Sequence, residues 1–461
     1  MKRFGSLLLV GAVSVSLAAC GNSGSDNAST NGSTNGSGNS PAANAGDSAS
    51  AGNKPVTLNF FSNNADQTTG QGLVEKQLAD AYMKENPTIT IKFESVSPDQ
   101  QYQDKLKIYN ASNAMPDVMM MWSLPGLMNP LIKNDTLMEF TPDDVKDMGF
   151  QPAALKAFTS NGKIYGLPKN SDFLVLYYNK KIFQDNGLEP PKSEAELIDV
   201  SKKLNDKKIV PVAMDGRDGW PLFLWFQNEM QRSSGSFQTL TDAVYRKGTF
   251  KDLGGIQVAA KMQEIVKAGA FGEGFLNLDY GAAKNLFVQG KAAMFIMGEW
   301  EMGMGSDPNI PDDIRGNIGA LPIPAGDKGA NTDLMAWFGG GYSVNAKSPH
   351  AQEAKAFALW MMKQDNWAKS VWQSGVTFPA QEFNQYTTDQ QSSLQKELAD
   401  IFTNATTISG NVATDNLQSD DASKFTNGIQ ALTAFKYTPE AFVDLIDAAA
   451  EESNKANEAA K

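Results

Sequence analysis

The alternation of apolar and polar positions marks where order begins. Val56 to Phe61 (VTLNFF) reads as a strand, and Val74, Leu78, Ala81 and Tyr82 then recur near helical spacing until Pro87 stops the run. A second strand follows in TITIKFES, where Ile89, Ile91 and Phe93 alternate with polar residues. This order is a βαβ unit, which predicts a right-handed crossover and a parallel pair. A helix is expected from about Asp99 to Tyr109, and a buried strand in PDVMMMW, Pro116 to Trp122. Open α/β sheets hold ligands beyond the carboxyl ends of their strands, which puts Asn63, Asn64, Asp66, Trp122 and Ser123 at one rim.

The pattern restarts near residue 171. SDFLVLYYNKKIF, Ser171 to Phe183, reads as a strand entering a helix. In PKSEAELIDVSKKL, Ser193 and Glu196 form a capping box before a helix whose Leu197, Val200 and Leu204 share one face. KIVPVAM, Lys208 to Met214, is a further strand, and FVQGKAAMFIMGEW, Phe287 to Trp300, gives a turn, a strand and a tryptophan at its exit. Two α/β lobes are the economical reading. Beyond about Pro379 the pattern is helical and polar to the end.

The segment before Val56 has a different character. Lys2 and Arg3 precede an apolar run from Leu7 to Leu17, too short for the ~20 residues of a membrane-spanning helix and placed as in an export signal. Leu17-Ala18-Ala19-Cys20 resembles the bacterial lipobox, whose cysteine becomes acylated and starts the mature chain. Residues 1–19 are therefore expected to be a signal peptide. From 20 to 54, the lipidated Cys20 and a Gly/Ser/Asn-rich stretch without large apolar residues are expected to form a disordered tether, about 30–35 Å in r.m.s. span.

Composition narrows the chemistry. The 461 residues carry 40 Lys and Arg against 52 Asp and Glu, a net charge of −12 that disfavours nucleic acid as a partner. One cysteine and one histidine exclude an internal disulfide and any two-histidine metal site, and no catalytic, metal or cofactor site is expected. No GxSxG, GxxxxGK[ST] or GxGxxG motif occurs, and a triad built on the lone His350 is disfavoured. Carboxylate-pair glycoside hydrolysis needs no histidine, so a tethered hydrolase stays open as the alternative.

The blocks NGKIYGLP (Asn161 to Pro168), LYYNKKIF, PKSEAELIDVSKKL, FVQGKAAMFIMGEW and FGGGYSVNAKSPHAQEAKAFALWMM (Phe338 to Met362) together resemble extracellular solute-binding proteins of carbohydrate ABC importers. Maltose-binding protein is the familiar member. The resemblance covers about residues 55–380. It implies a two-lobed periplasmic-binding-protein-like fold of type II, with hinge-linked lobes and several chain crossings. The N-terminal lobe would take 55–170 plus 341–374, and the C-terminal lobe 171–340 plus 375–461. It also implies an oligosaccharide held between the lobes for an ABC permease, by a lipid-anchored monomer on the outer face of the bacterial cell membrane. Delivery to a permease and reporting to a sensor kinase are not separable on this ground.

A sugar needs rings for its C–H faces and rigid polar partners for its hydroxyls. By the resemblance, Trp300 and Trp122 are stacking tryptophans from opposite lobes and Asp172 is a sugar-binding carboxylate. Asn63, Asn64 and Asp66 would supply further hydroxyl partners from the loop after the first strand. DGRDGWPL resembles a family segment that carries an acid and two aromatics before Trp-Pro-Leu, Trp220 being its tryptophan; Arg217 and Asp218 stand at the aromatic positions. With Asp215 they read as a polar comb for hydroxyls, as a partner for an acidic sugar, or as a solvated turn. Trp337 and Phe338, before Gly339-Gly340-Gly341, are candidates for the cleft, with core packing open for Trp337. Trp360, Trp367 and Trp372 read as core.

Overall fold

The computed structural model describes residues 54–324, 330–410 and 412–459. The expected export segment, Cys20 and the tether as far as residue 53 lie outside them. Apart from a small hairpin of Thr159–Ser160 with Lys163–Ile164, the strands in chain order are β1 (Val56–Ser62), β2 (Ile89–Ser95), β3 (Val118–Trp122), β4 (Leu167–Pro168), β5 (Asp172–Asn179), β6 (Val210–Ala213), β7 (Ala292–Gly298), β8 (Ile318–Leu321), β9 (Asp333–Trp337), β10 (Gly340–Val344) and β11 (Thr407–Gly410). They build two sheets, one per lobe.

The first sheet has the order β2-β1-β3-β10-β4. β1 and β2 pair in parallel from Val56 opposite Ile89 to Ser62 opposite Ser95, joined by helix α1 (Gly70–Glu85), as the βαβ pattern predicts. Helix α1 buries Val74, Leu78, Ala79 and Tyr82, whereas Ala81 is exposed. Its buried stripe is centred on a carboxylate, Glu75, which hydrogen bonds hold against the sheet. The helix α2 (Asp99–Ala111) follows, and then β3, buried except at Trp122. β10 arrives from far along the chain and lies antiparallel to β3, Gly340 opposite Trp122.

The second sheet runs β11-β9-β5-β7-β6, with β8 also on β5. β5 is its spine. It pairs antiparallel with β7 (Leu174 opposite Gly298), with β9 at its start (Trp337 opposite Asp172) and with β8 at its end (Asn179 opposite Ile318). The predicted helix after Ser193 spans Glu194–Asp206, but only half of the capping box forms: Ser193 accepts from the Glu196 N–H, while the Glu196 carboxylate accepts from Lys192 rather than Ser193. β11 breaks the helical pattern expected beyond Pro379, pairing in parallel with β9. The polar-looking last helix, Pro439–Ala459, buries Phe442, Val443, Ile446, Ala449 and Ala450 in the core of this lobe.

The chain passes between the sheets at three adjacent places: from β4 to β5, from β9 to β10, and near Thr377–Ala380. Backbone bonds tie these segments together: Lys169 N to Gly340 O at 2.9 Å, Ser171 N to Phe378 O at 2.8 Å and Ala380 N to Lys169 O at 3.3 Å. Trp367, fully buried, donates its indole N–H to Lys169 O at 2.6 Å; Trp372 is also core, and Trp360 packs at its edge. No helix among the described residues is long and apolar enough to cross a membrane.

Candidate functional site

A cleft of about 1230 Å³ opens where the carboxyl end of β1 and β3 faces the second sheet. Asn63, Asn64 and Trp122 line one wall, Asp218, Trp220, Tyr280, Trp300 and Glu301 the other, and Lys169, Asn170, Asp172 and Trp337 the crossing segments between them. These side chains are brought together because each is the first or last residue of a strand or helix, or lies just beyond one.

The second wall is an aromatic cluster. Trp300 lies 6.2 Å from Trp220 and 6.0 Å from Trp337 between ring centroids, and Trp220 lies 6.0 Å from Tyr280. Gly298, the last residue of β7, permits this: a Cβ there would sit 2.0 Å from an atom of the Trp300 ring. The indole N–H of Trp300 donates to the Tyr280 hydroxyl at 3.0 Å, and that hydroxyl donates to Glu301. Glu301 is paired in turn with Lys284 Nζ at 2.6 Å. Burial and the Glu301 charge push the Tyr280 phenol well above its ordinary range, which keeps it a donor. The indole is therefore fixed in orientation before any ligand arrives. On the opposite wall Trp122 packs edge-on against Tyr102 at 5.5 Å, and the Tyr102 hydroxyl is held by the carbonyls of Phe61 and Met120.

Beneath the crossing segments lies a set of buried charges. Lys169 Nζ donates to Gln71 Oε1 at 2.9 Å, with Glu75, Asp172 and Asp99 around it. Glu75 accepts from Ser62 (2.6 Å), Asn64 (2.7 Å) and Tyr342 (2.7 Å), so it orients a cleft asparagine from behind. Asp172 accepts from Asn170 Nδ2 and shares a hydrogen bond with Glu299, which also accepts from Thr377 at 3.0 Å. Burial pushes Asp172 up to about 6 against the pull of Lys169. Burial and the neighbouring Asp172 charge drive Glu299 well above the carboxylate range, so Glu299 is the protonated partner that donates to Asp172. Asp99 lines the cleft, where desolvation by the surrounding protein raises its pKa, while Asn63 Nδ2 donates to it at 3.1 Å.

Of the residues expected from the sequence, the structure brings Asn63, Asn64, Trp122, Asp172, Asp218, Trp220, Trp300 and Trp337 into the cleft lining. Four lie off it. Asp66 folds back onto Thr68 and Thr69, with Thr68 N at 2.7 Å. Asp215 is buried and accepts from Asp218 N at 2.9 Å; its carboxyl is pushed up to about 7, first by burial and then by the Asp218 and Asp279 charges. Arg217 is exposed and paired with Asp279 at 2.6 Å. Phe338 is buried with Ala154 and Ala380. Sequence reasoning missed Glu75, Lys169, Tyr280, Lys284, Glu299 and Glu301. Only Glu299 and Glu301, flanking Trp300 at a strand exit, left a local signal.

Residues 65–366, well over half of the chain, match the family described as bacterial extracellular solute-binding protein. The chain is 26% identical over 389 residues to the galactooligosaccharide-binding protein of Bacillus subtilis (strain 168), covering 82% of this chain and 80% of that one. It is 24% identical over 378 residues to the multiple sugar-binding protein of Streptococcus mutans, covering 78% of each. A solved structure from work on xylan utilization by Caldanaerobius polysaccharolyticus superposes with a TM-score of 0.78 at 28% identity, over 85% of this chain and 99% of the other. A chitin oligosaccharide binding protein shares the fold with a TM-score of 0.77 at 21% identity, over 87% of this chain and 99% of that one.

Proposed function

Because the chain belongs to the bacterial extracellular solute-binding protein family, we propose that it captures an extracellular oligosaccharide between its lobes and delivers it to the permease of an ABC importer. The observation that carries this reading is the fixed aromatic wall of Trp220, Tyr280, Trp300 and Trp337 opposite Asn63, Asn64 and Trp122. Indole faces take the C–H faces of pyranose rings, while oriented amides and carboxylates replace the water lost by the hydroxyls. The names of the oligosaccharide-binding relatives favour the same class of solute. A volume of about 1230 Å³ exceeds the ~300–1,000 Å³ of small-ligand pockets and suits more than one sugar ring.

A ligand touching both walls makes more contacts when the lobes close, which is the differential affinity that closure requires. In this reading the N-terminal lobe takes residues 55–170 and 341–374, and the other lobe takes 171–340 and 375–461. Residues 1–19 direct export, acylated Cys20 anchors a monomer on the outer face of the cell membrane, and the stretch to 54 is the tether. The family consists of binding proteins, which leaves the tethered hydrolase without support. No new reducing ends are expected when the protein is incubated with oligosaccharides.

The test is a thermal-shift screen against diverse glycans, followed by calorimetry on the hits, since a ligand bound only by the native state raises its melting point. Trp300→Ala is expected to cost roughly 2–4 kcal/mol of affinity, as a buried aromatic hot spot does. A full glycan panel without a single shift or heat would overturn the proposal.

A further inference from the structure

The cations that line the cleft are already matched. Three lysines contribute to the lining, Lys107, Lys169 and Lys284. Lys107 pairs with Asp104 at 3.3 Å, and Lys284 with Glu301 at 2.6 Å. Lys169 is buried, donates to Gln71, and has Glu75 and Asp172 beside it. The arginine that the sequence offers for an acidic sugar, Arg217, lies off the lining and is shared by Asp279 at 2.6 Å and Asp218 at 3.7 Å. Among the acids of the lining, Glu301 is paired with Lys284, Asp218 with Arg217 at 3.7 Å, and Asp172 has Lys169 beside it; Asp99 and Asp307 remain. Asp99 accepts from the amide of Asn63 at 3.1 Å and Asp307 from the backbone N–H of Asn309 at 2.8 Å, both neutral donors.

From this imbalance we infer that the solute is an uncharged glycan, and that the cleft rejects the same glycan when it carries a uronate carboxylate. The inference rests on the carbohydrate reading above. An entering carboxylate would meet Asp99 and Asp307 between protein walls, where like charges repel more strongly than in bulk water. It would gain Lys169 or Lys284 only by pulling it from a buried carboxylate, leaving that partner uncompensated; the exposed Lys107, shared with Asp104 and screened by solvent, offers little in return. A hydroxyl group asks for none of this: it donates to Asp99, Asp172, Asp218 or Asp307 as it finds them.

The experiment is calorimetry on the full chain at pH 7 and low salt, with trisaccharides of glucose, galactose and N-acetylglucosamine, each beside its 6-carboxylate counterpart. Whichever neutral sugar binds should lose at least tenfold in affinity on oxidation to the uronate. Equal or tighter binding of the uronate would overturn the inference and leave the carbohydrate reading standing. Failure of every neutral and acidic sugar, here and across the full glycan panel, would overturn both. Glu301→Gln gives an independent arm, because the amide still accepts from Tyr280 while Lys284 loses its counter-charge. The uronate-to-neutral affinity ratio should rise about tenfold in that variant, and an unchanged ratio would refute the argument from matched lysines.

Discussion

Replacing Asp172 with Asn should make the protein more stable at neutral pH and leave it nearly unchanged in acid. Asp172 is 7% exposed and its pKa rises from 3.8 to about 6, burial outweighing the attraction of Lys169. A folded-state pKa above the unfolded one means that the native protein binds the proton more tightly. The associated stability is fully present below pH 3.8 and is lost as pH climbs through about 6. A rise of this size corresponds to roughly 3 kcal/mol. Asn cannot ionise, so Asp172→Asn escapes that cost above pH 6, while Lys169 keeps Glu75 and Asp99 nearby. At ~2.1 cal/mol/K per residue over ~400 residues, the variant should melt about 3–4 °C above the parent at pH 7. The gap should close near pH 4. Differential scanning calorimetry of both proteins from pH 4 to 8 reads this directly; the paired comparison cancels the shifted acids remote from Asp172, and Glu299, which loses the Asp172 charge, is still kept raised by burial, its larger cause. A gap that is constant across that range, or that widens in acid, would refute the assignment of a raised carboxyl at the cleft floor.

Further perturbations separate the elements of the site. Glu75→Ala strips Ser62, Asn64 and Tyr342 of their common acceptor and Lys169 of its nearest charge, so urea unfolding should show a loss of about 3–5 kcal/mol. Arg217→Ala removes an exposed ion pair, and thermal melts should move by less than ~1 kcal/mol equivalent. An affinity loss beyond tenfold in Arg217→Ala would put the guanidinium on the ligand after all. Cys20→Ser should release the protein from the membrane fraction to the soluble one on cell fractionation, and retention in the membrane would argue against acylation there.

The strands and the helices that cover them were legible because their periods are plain. β3 and β7 are continuous apolar runs, and β1 and β2 bracket a helix with Val74, Leu78 and Tyr82 on one stripe. β11 escaped because TISG has no apolar period and owes its conformation to the edge of β9. Trp122 and Trp300 were legible as strand exits, and the βα rule put Asn63, Asn64 and Asp66 at the rim, of which Asn63 and Asn64 line the cleft and Asp66 turns back onto Thr68 and Thr69. What periodicity could not supply was the layer behind them. Glu75 sits in the middle of a buried helical stripe, where a carboxylate makes sense only once Tyr342, 267 positions away in sequence, is seen to donate to it. Tyr280 likewise gains its meaning from Trp300 and Glu301, which approach it only through the packing of its helix on β7.

The same layer says how the lobes must move. Only Lys169, Asn170 and Ser171 separate β4 from β5, and only Phe338 and Gly339 separate β9 from β10. Sheets joined by such short segments, with those segments bonded to one another, have no room to slide, so closure is a hinge rotation absorbed by a few backbone torsions. The buried charges sit on both sides of that axis. Lys169 reaches Gln71 and Glu75 in the first lobe, while Asp172, Glu299 and Thr377 are bound together in the second. An ion cluster of this kind contributes little net stability, but it tolerates only narrow geometries. In the proposed function it fixes the pivot about which the walls turn, and the test of Trp300→Ala bears on whether Trp122 and Trp300 meet a sugar ring across that pivot.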